Sequence, residues 1–120
     1  MLRKCFVLVI LLLPLSAYAK QGTNYSKLLL GSWKVEGIKA KGSTEFRPPK
    51  HAIRWTFTRN GTLIERLGKS GAKITWHYVV VGKEIKVRIE HMAFTWKILG
   101  ADDKVMLIQH QLGLYKIRHL

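Results

Sequence analysis

The chain has 120 residues, 48% of them hydrophobic, and 21 Lys and Arg against 7 Asp and Glu, a formal +14 at pH 7. That length bounds it to one domain, and a single cysteine excludes both a disulfide framework and a cysteine-ligated zinc site. The positive field favours anionic partners such as phospholipid headgroups, lipopolysaccharide, nucleic acid or an acidic protein, although a basic surface also serves solubility.

The N-terminus reads as an export signal. Arg3 and Lys4 precede an apolar run from Phe6 to Leu15, and Ala17-Tyr18-Ala19 supplies a small-x-small cleavage site. The apolar run is shorter than the roughly 20 residues a membrane helix needs. We therefore expect residues 1–19 to be a cleaved signal peptide and 20–120 to be one exported domain, periplasmic or secreted. Cleavage removes Cys5, Arg3 and Lys4, leaving 19 Lys and Arg against 7 acids, +12. An exported domain of this size without disulfides rests on its hydrophobic core alone. The chain has no Lys/Arg block of five or more, so a nucleic-acid tail is not expected.

Residues 20–29 are a short polar lead running into Leu28-Leu29-Leu30, which suits a helical turn plugging one end of a barrel. From Gly31 onward the period is two, the signature of half-buried strands. Trp33 and Val35 alternate with Lys34 and Glu36. Residues 38–51 break the pattern and carry Lys39, Lys41, Arg47, Lys50 and His51 against Glu45, with Pro48-Pro49 stiffening the loop. Ile53, Trp55 and Phe57 then share a face. Asn60-Gly61 signals a hairpin in which both central residues take positive φ. The next strand, Thr62 to Leu67, shows two competing faces, with Leu63, Glu65 and Leu67 on one. Gly68 to Gly71 makes a turn.

In the second half Ile74, Trp76, Tyr78 and Val80 share a face, as do Ile85, Val87 and Ile89, and then Phe94, Trp96 and Ile98. Val105 to His110 and Leu114 to His119 form a last pair joined near Gly113. About eight closely meandering strands with no helical repeat predict an all-β, up-and-down antiparallel barrel.

Most of this region, Leu29 to Arg118, resembles the bacterial lipocalin-like domains. The resemblance is carried by Gly31-Ser32-Trp33-Lys34-Val35, by Trp55 to Thr62, by Thr75-Trp76 followed by Ile85-Lys86-Val87, and by Trp96 to Leu107 with Tyr115 to Arg118. It implies a binding activity. It also implies that Trp33 packs at the closed end with Arg118 across its ring, a cation–π contact, although strand parity sets Arg118 opposite Tyr115 and Ile117. The first connection, residues 38–51, would act as a lid over the open end.

On the inferred inward faces Trp55, Phe57, Trp76, Tyr78, Phe94 and Trp96 either line an apolar pocket or simply fill the barrel, since eight strands leave room for one or the other. In the first case Arg47 and Lys50 would meet the headgroup of an anionic amphiphile whose tail meets the aromatics. In the second, the basic surface would dock an acidic protein or an anionic envelope surface. Catalysis finds little footing. His51, His77, His91, His110 and His119 occur at no short ligand spacing, His110 and His119 read as solvent-facing, and no nucleophile elbow or phosphate-cradling loop is present. No cofactor and no metal are expected.

Overall fold

Period-two alternation closes on itself in this chain. The computed structural model describes residues 24–120, and the predicted signal peptide, Cys5 and the cleavage site lie outside them. Eight antiparallel strands follow a short helix, α1 (Tyr25–Leu28). They are β1 (Gly31–Ala40), β2 (Ile53–Phe57), β3 (Thr62–Leu67), β4 (Ala72–Val81), β5 (Glu84–Ile89), β6 (Met92–Ala101), β7 (Val105–His110) and β8 (Gly113–His119). Each pairs with the next, and β8 returns to β1 to close the barrel. Closure leaves none of these strands with an unpaired edge, which removes the main aggregation hazard of a sheet protein.

The connections 58–61, 82–83 and 102–104 gather at one end with α1, which we call the floor; 41–52, 68–71, 90–91 and 111–112 surround the other, the mouth. Asn24 caps α1 by accepting from the Lys27 amide. The helix delivers Leu29, fully buried, to the floor, where its carbonyl accepts the Trp33 indole N–H at 2.8 Å. The expected plug is therefore present, shifted a few residues toward the N-terminus.

Inward positions follow the alternation except at register shifts in β1 and β6, and Trp33, Val35, Trp55, Phe57, Leu63, Ile85, Met106, Ile108 and Ile117 are all buried. The ambiguous strand β3 resolves through its partners. Leu63 lies opposite Phe57 and Trp76, and Glu65 opposite Trp55 and Ile74, so Leu63, Glu65 and Leu67 face inward.

Three expectations need correction. First, β1 does not stop before Ile38 but runs to Ala40 through a bulge between Val35 and Gly37. The extra residue reverses the parity, so Gly37 lies opposite outward Lys116 and Ile38 opposite inward Tyr115. Read as a broken alternation, the bulge looked like the start of a loop. Second, in the Asn60-Gly61 turn only Gly61 has positive φ, +85°. Gly61 N–H donates to Thr58 O, and Thr58 and Thr62 bond to each other across the loop. The geometry is the three-residue type with glycine at its left-handed position rather than the two-residue mirror turn.

Third, Arg118 does not lie on Trp33. Strand parity sends it outward, where its guanidinium bonds Glu36. The Glu36 carboxyl is held below its usual range, first by that hydrogen bond. His119 takes the place on Trp33 instead, edge-on at 4.7 Å between ring centroids. A Cβ on Gly31 would sit 2.9 Å from His119 Nε2, and Gly31 has φ +112°. Gly31 and Trp33 thus belong to one arrangement: the glycine makes room for the imidazole that covers the indole.

Candidate functional site

Inside the barrel the aromatic residues form one connected cluster. Trp55 stacks on Trp96 at 4.9 Å and on Tyr115 at 5.6 Å. Trp76 meets Trp96 and Phe94 edge-on, and Phe57 meets Tyr78 in the same manner at 5.1 Å. The polar edges of these rings are also occupied from within the chain. Trp55 and Trp76 donate their indole N–H groups to the two oxygens of Glu65, at 2.9 and 3.3 Å. Trp96 donates to Gln111, and the Tyr78 hydroxyl to the Thr58 carbonyl at 2.6 Å. Burial pushes the Tyr78 hydroxyl pKa up; Tyr115 is raised by burial and then by the Glu65 charge.

Histidine 110 is a further correction. It was expected to face solvent, but it is 8% exposed and stacks on Tyr115 at 4.1 Å. Its position on β7 continues the inward row of Met106 and Ile108. Desolvation lowers its pKa to about 4, so the ring is neutral at neutral pH. Its Nδ1 accepts the Leu112 amide at 3.1 Å, which assigns the ring proton to Nε2. His119 lies at the floor end of β8 while His110 lies at the mouth end of β7, so the two do not approach. Among the described residues no three His, Cys, Asp or Glu side chains gather as a metal site.

Above the aromatic cluster the barrel opens. A cavity of about 510 Å³ lies at the mouth, with Ile38, Ile53 and Leu67 as its aliphatic lining and Lys50, His51 and Lys69 at its edge. Register explains the lining. Ile53 lies opposite Leu67, and Leu67 opposite Ala72, one row nearer the mouth than Trp55 and Glu65. Ile38 joins them because the β1 bulge turned it inward.

The first connection folds back along β1 and brings Pro49, Lys50 and His51 to the side of this cavity. Ile38 N–H donates to Arg47 O at 2.8 Å and Arg47 N–H returns the bond at 2.9 Å, pinning the loop along upper β1. Phe46 covers Gly37, and the Lys39 ammonium sits 5.7 Å above the Phe46 ring. Arg47 and Lys50 are thereby separated. Lys50 lines the mouth, whereas Arg47 lines a second cavity of about 550 Å³ between the loop and β1, with Lys34, Glu36 and Lys116.

The expected combination of aromatics and loop cations is therefore not assembled as one site. None of Trp55, Phe57, Trp76, Tyr78, Phe94 and Trp96 lines the mouth cavity, and of the two cations only Lys50 does. The lining residues Ile38, Ile53 and Leu67 were missed. For Ile53 and Leu67 the signal was present, since each is the last inward residue at the mouth end of its strand.

Two solved structures share this architecture. A lipocalin-like protein from Bacteroides uniformis is similar with a TM-score of 0.63 and 14% identity, over 78% of this chain and 99% of that one. An uncharacterized protein from Bacteroides eggerthii is similar with a TM-score of 0.61 and 15% identity, over 77% of this chain and 99% of that one. No family model matches the chain, and neither does any curated protein. The chain has the lipocalin-like fold, a closed eight-stranded antiparallel barrel.

Proposed function

We propose that this protein is an exported, non-catalytic binding protein for a small anionic amphiphile, taken at the mouth of the barrel. The observation that carries this reading is the mouth cavity itself, about 510 Å³, with an aliphatic lining and a cationic edge. Its volume falls in the range of about 300–1,000 Å³ typical of small-molecule sites. Ile38, Ile53 and Leu67 would hold the apolar portion, and Lys50 and Lys69 the anionic group at the edge. The aromatic cluster beneath limits how deep a tail can go. Glu65, directed at the Trp55 and Trp76 indoles, disfavours an inverted pose with the anion innermost. A short tail with an outward head is the geometry that fits.

The reading is tested by titrating the protein with decanoate and decanol by calorimetry, in the wild type and in Lys50→Glu/Lys69→Glu. Decanoate is expected to bind more tightly than decanol. The double variant should lose that preference while keeping the weaker, salt-insensitive part due to the tail. Absence of saturable binding by either ligand contradicts the proposal.

A further inference from the structure

The outer wall carries a charged feature that the mouth does not use. Strand register sets Arg118 opposite Lys34, Lys34 opposite Arg54, Arg54 opposite Arg66, and Arg66 opposite Lys73. Five exposed cations therefore run in one row across β8, β1, β2, β3 and β4, with neighbours about 4.8 Å apart by strand spacing. Like charges directly opposite one another destabilise a sheet, and this wall repeats that pairing at every step. Local acids do not relieve it. The outward positions of β2, β3 and β4 hold no Asp or Glu, and Glu65 is turned inward onto the two indoles. Among the described residues the one ion pair joins Arg118 to Glu36, at the end of the row.

A second row runs beside the first on the same face, two residues toward the floor, from Ser32 through Thr56 and Ile64 to Thr75. The Ser32 and Thr56 hydroxyls are 2.8 Å apart. The wall thus presents a line of cations with hydroxyls beside Lys34, Arg54 and Lys73 and Ile64 beside Arg66, at spacings fixed by the sheet.

We propose that this row is a binding site for an acidic polysaccharide lying across the strands. The row follows the curve of a closed barrel over four intervals between neighbouring strands, half the circumference of eight. A flat lipid surface meets only part of such an arc, whereas an extended polymer follows it. Single-stranded nucleic acid is held by stacking its bases on exposed aromatics. Here Trp33, Trp55, Phe57, Trp76, Tyr78 and Tyr115, the Trp, Phe and Tyr residues of these strands, all face the interior. A sugar chain with an acid on successive residues needs cations at regular intervals and hydroxyl partners among them; the first row provides the cations, and Ser32, Thr56 and Thr75 provide the hydroxyls.

The test is the binding of polygalacturonate to the mature protein at low salt, with dextran as the neutral control. Two variants of equal net charge are compared: Arg54→Gln/Arg66→Gln in the row, and Lys86→Gln/Lys97→Gln on the outer faces of β5 and β6. The row variant should bind about tenfold more weakly, the second within about twofold of wild type. Lys34→Gln/Lys73→Gln supplies an independent pair in the row should the first fail to fold, which its thermal melt reports. Equal losses in the two regions, or no binding of polygalacturonate, overturn the proposal. Tighter binding of oligothymidylate or of phosphatidylglycerol vesicles, lost with the row, also overturns it and names the other partner.

Discussion

The two halves of the barrel interior solve opposite problems with the same strand geometry. Toward the floor, α1 seats Leu29 beneath Trp33 and His119 covers that indole; in the middle of the barrel Trp55, Trp76 and Trp96 pack on one another with their indole N–H groups bonded within the chain. At the mouth the inward residues of β1 to β4 shrink to Ile38, Ile53, Leu67 and Ala72 and a cavity remains beside them, while His110 and Tyr115 carry the stack up the other side. Bulky aromatics fill an eight-stranded barrel, while aliphatic and small residues leave a ligand-sized gap. On the proposed reading, the ligand sits where the inward rows of β1 to β4 change from aromatic to aliphatic.

Substitutions in the two halves should separate stability from binding. Trp55→Ala, in the centre of the stacked cluster, should cost about 3–5 kcal/mol in denaturant unfolding. A loss below about 1 kcal/mol would mean that the cluster is loosely packed. Gly113→Ala comes next. A Cβ there would lie 2.3 Å from the Lys39 carbonyl at φ +144°, so β1 and β8 must separate locally, at about 1–3 kcal/mol.

His110 makes the comparison pH-dependent. Its folded pKa of about 4 lies below its ordinary value of 6.5. The stability this contributes is complete above about pH 6.5 and is lost as pH falls toward about 4, because the unfolded chain takes up the proton first. Unfolding followed by urea at pH 7 and pH 4.5 should show that fall in the wild type and a smaller one in His110→Phe. At the mouth, Leu67→Ala should cost only about 1 kcal/mol of stability while weakening decanoate binding about tenfold. Neutralising the outer row should act least on the fold: Arg54→Gln/Arg66→Gln should raise the melting temperature slightly, by about 0.5 kcal/mol of relieved repulsion.

The barrel was legible in the sequence because each strand with one buried face writes a period of two. Trp55 with Phe57, Ile85 with Val87, and Trp96 with Ile98 all carry it. The site was harder to read, for identifiable reasons. The β1 bulge cancels the parity after Val35, so Ile38 could be assigned inward only through its partner Tyr115 on β8. Glu65 disguised the inner face of β3, because a carboxylate pointing inward makes sense only once two indole N–H groups are known to receive it. His110 looked polar, hence external, until three aromatic neighbours enclosed it. Arg118 and His119 differ by one residue in a strand, and that step alone decides which side chain covers Trp33. Such features depend on partners far away in the chain, and pattern within a strand does not carry them.

The most direct test of the account is a ¹H–¹⁵N NMR titration of residues 20–120 with decanoate. The largest shifts should fall on the amides of Ile38, Ile53 and Leu67 to Ala72, with the indole N–H signals of Trp33 and Trp96 unmoved. Shifts concentrated on the Trp55 and Trp96 indoles and the amides around them would place the ligand in the aromatic interior and contradict the assignment to the mouth.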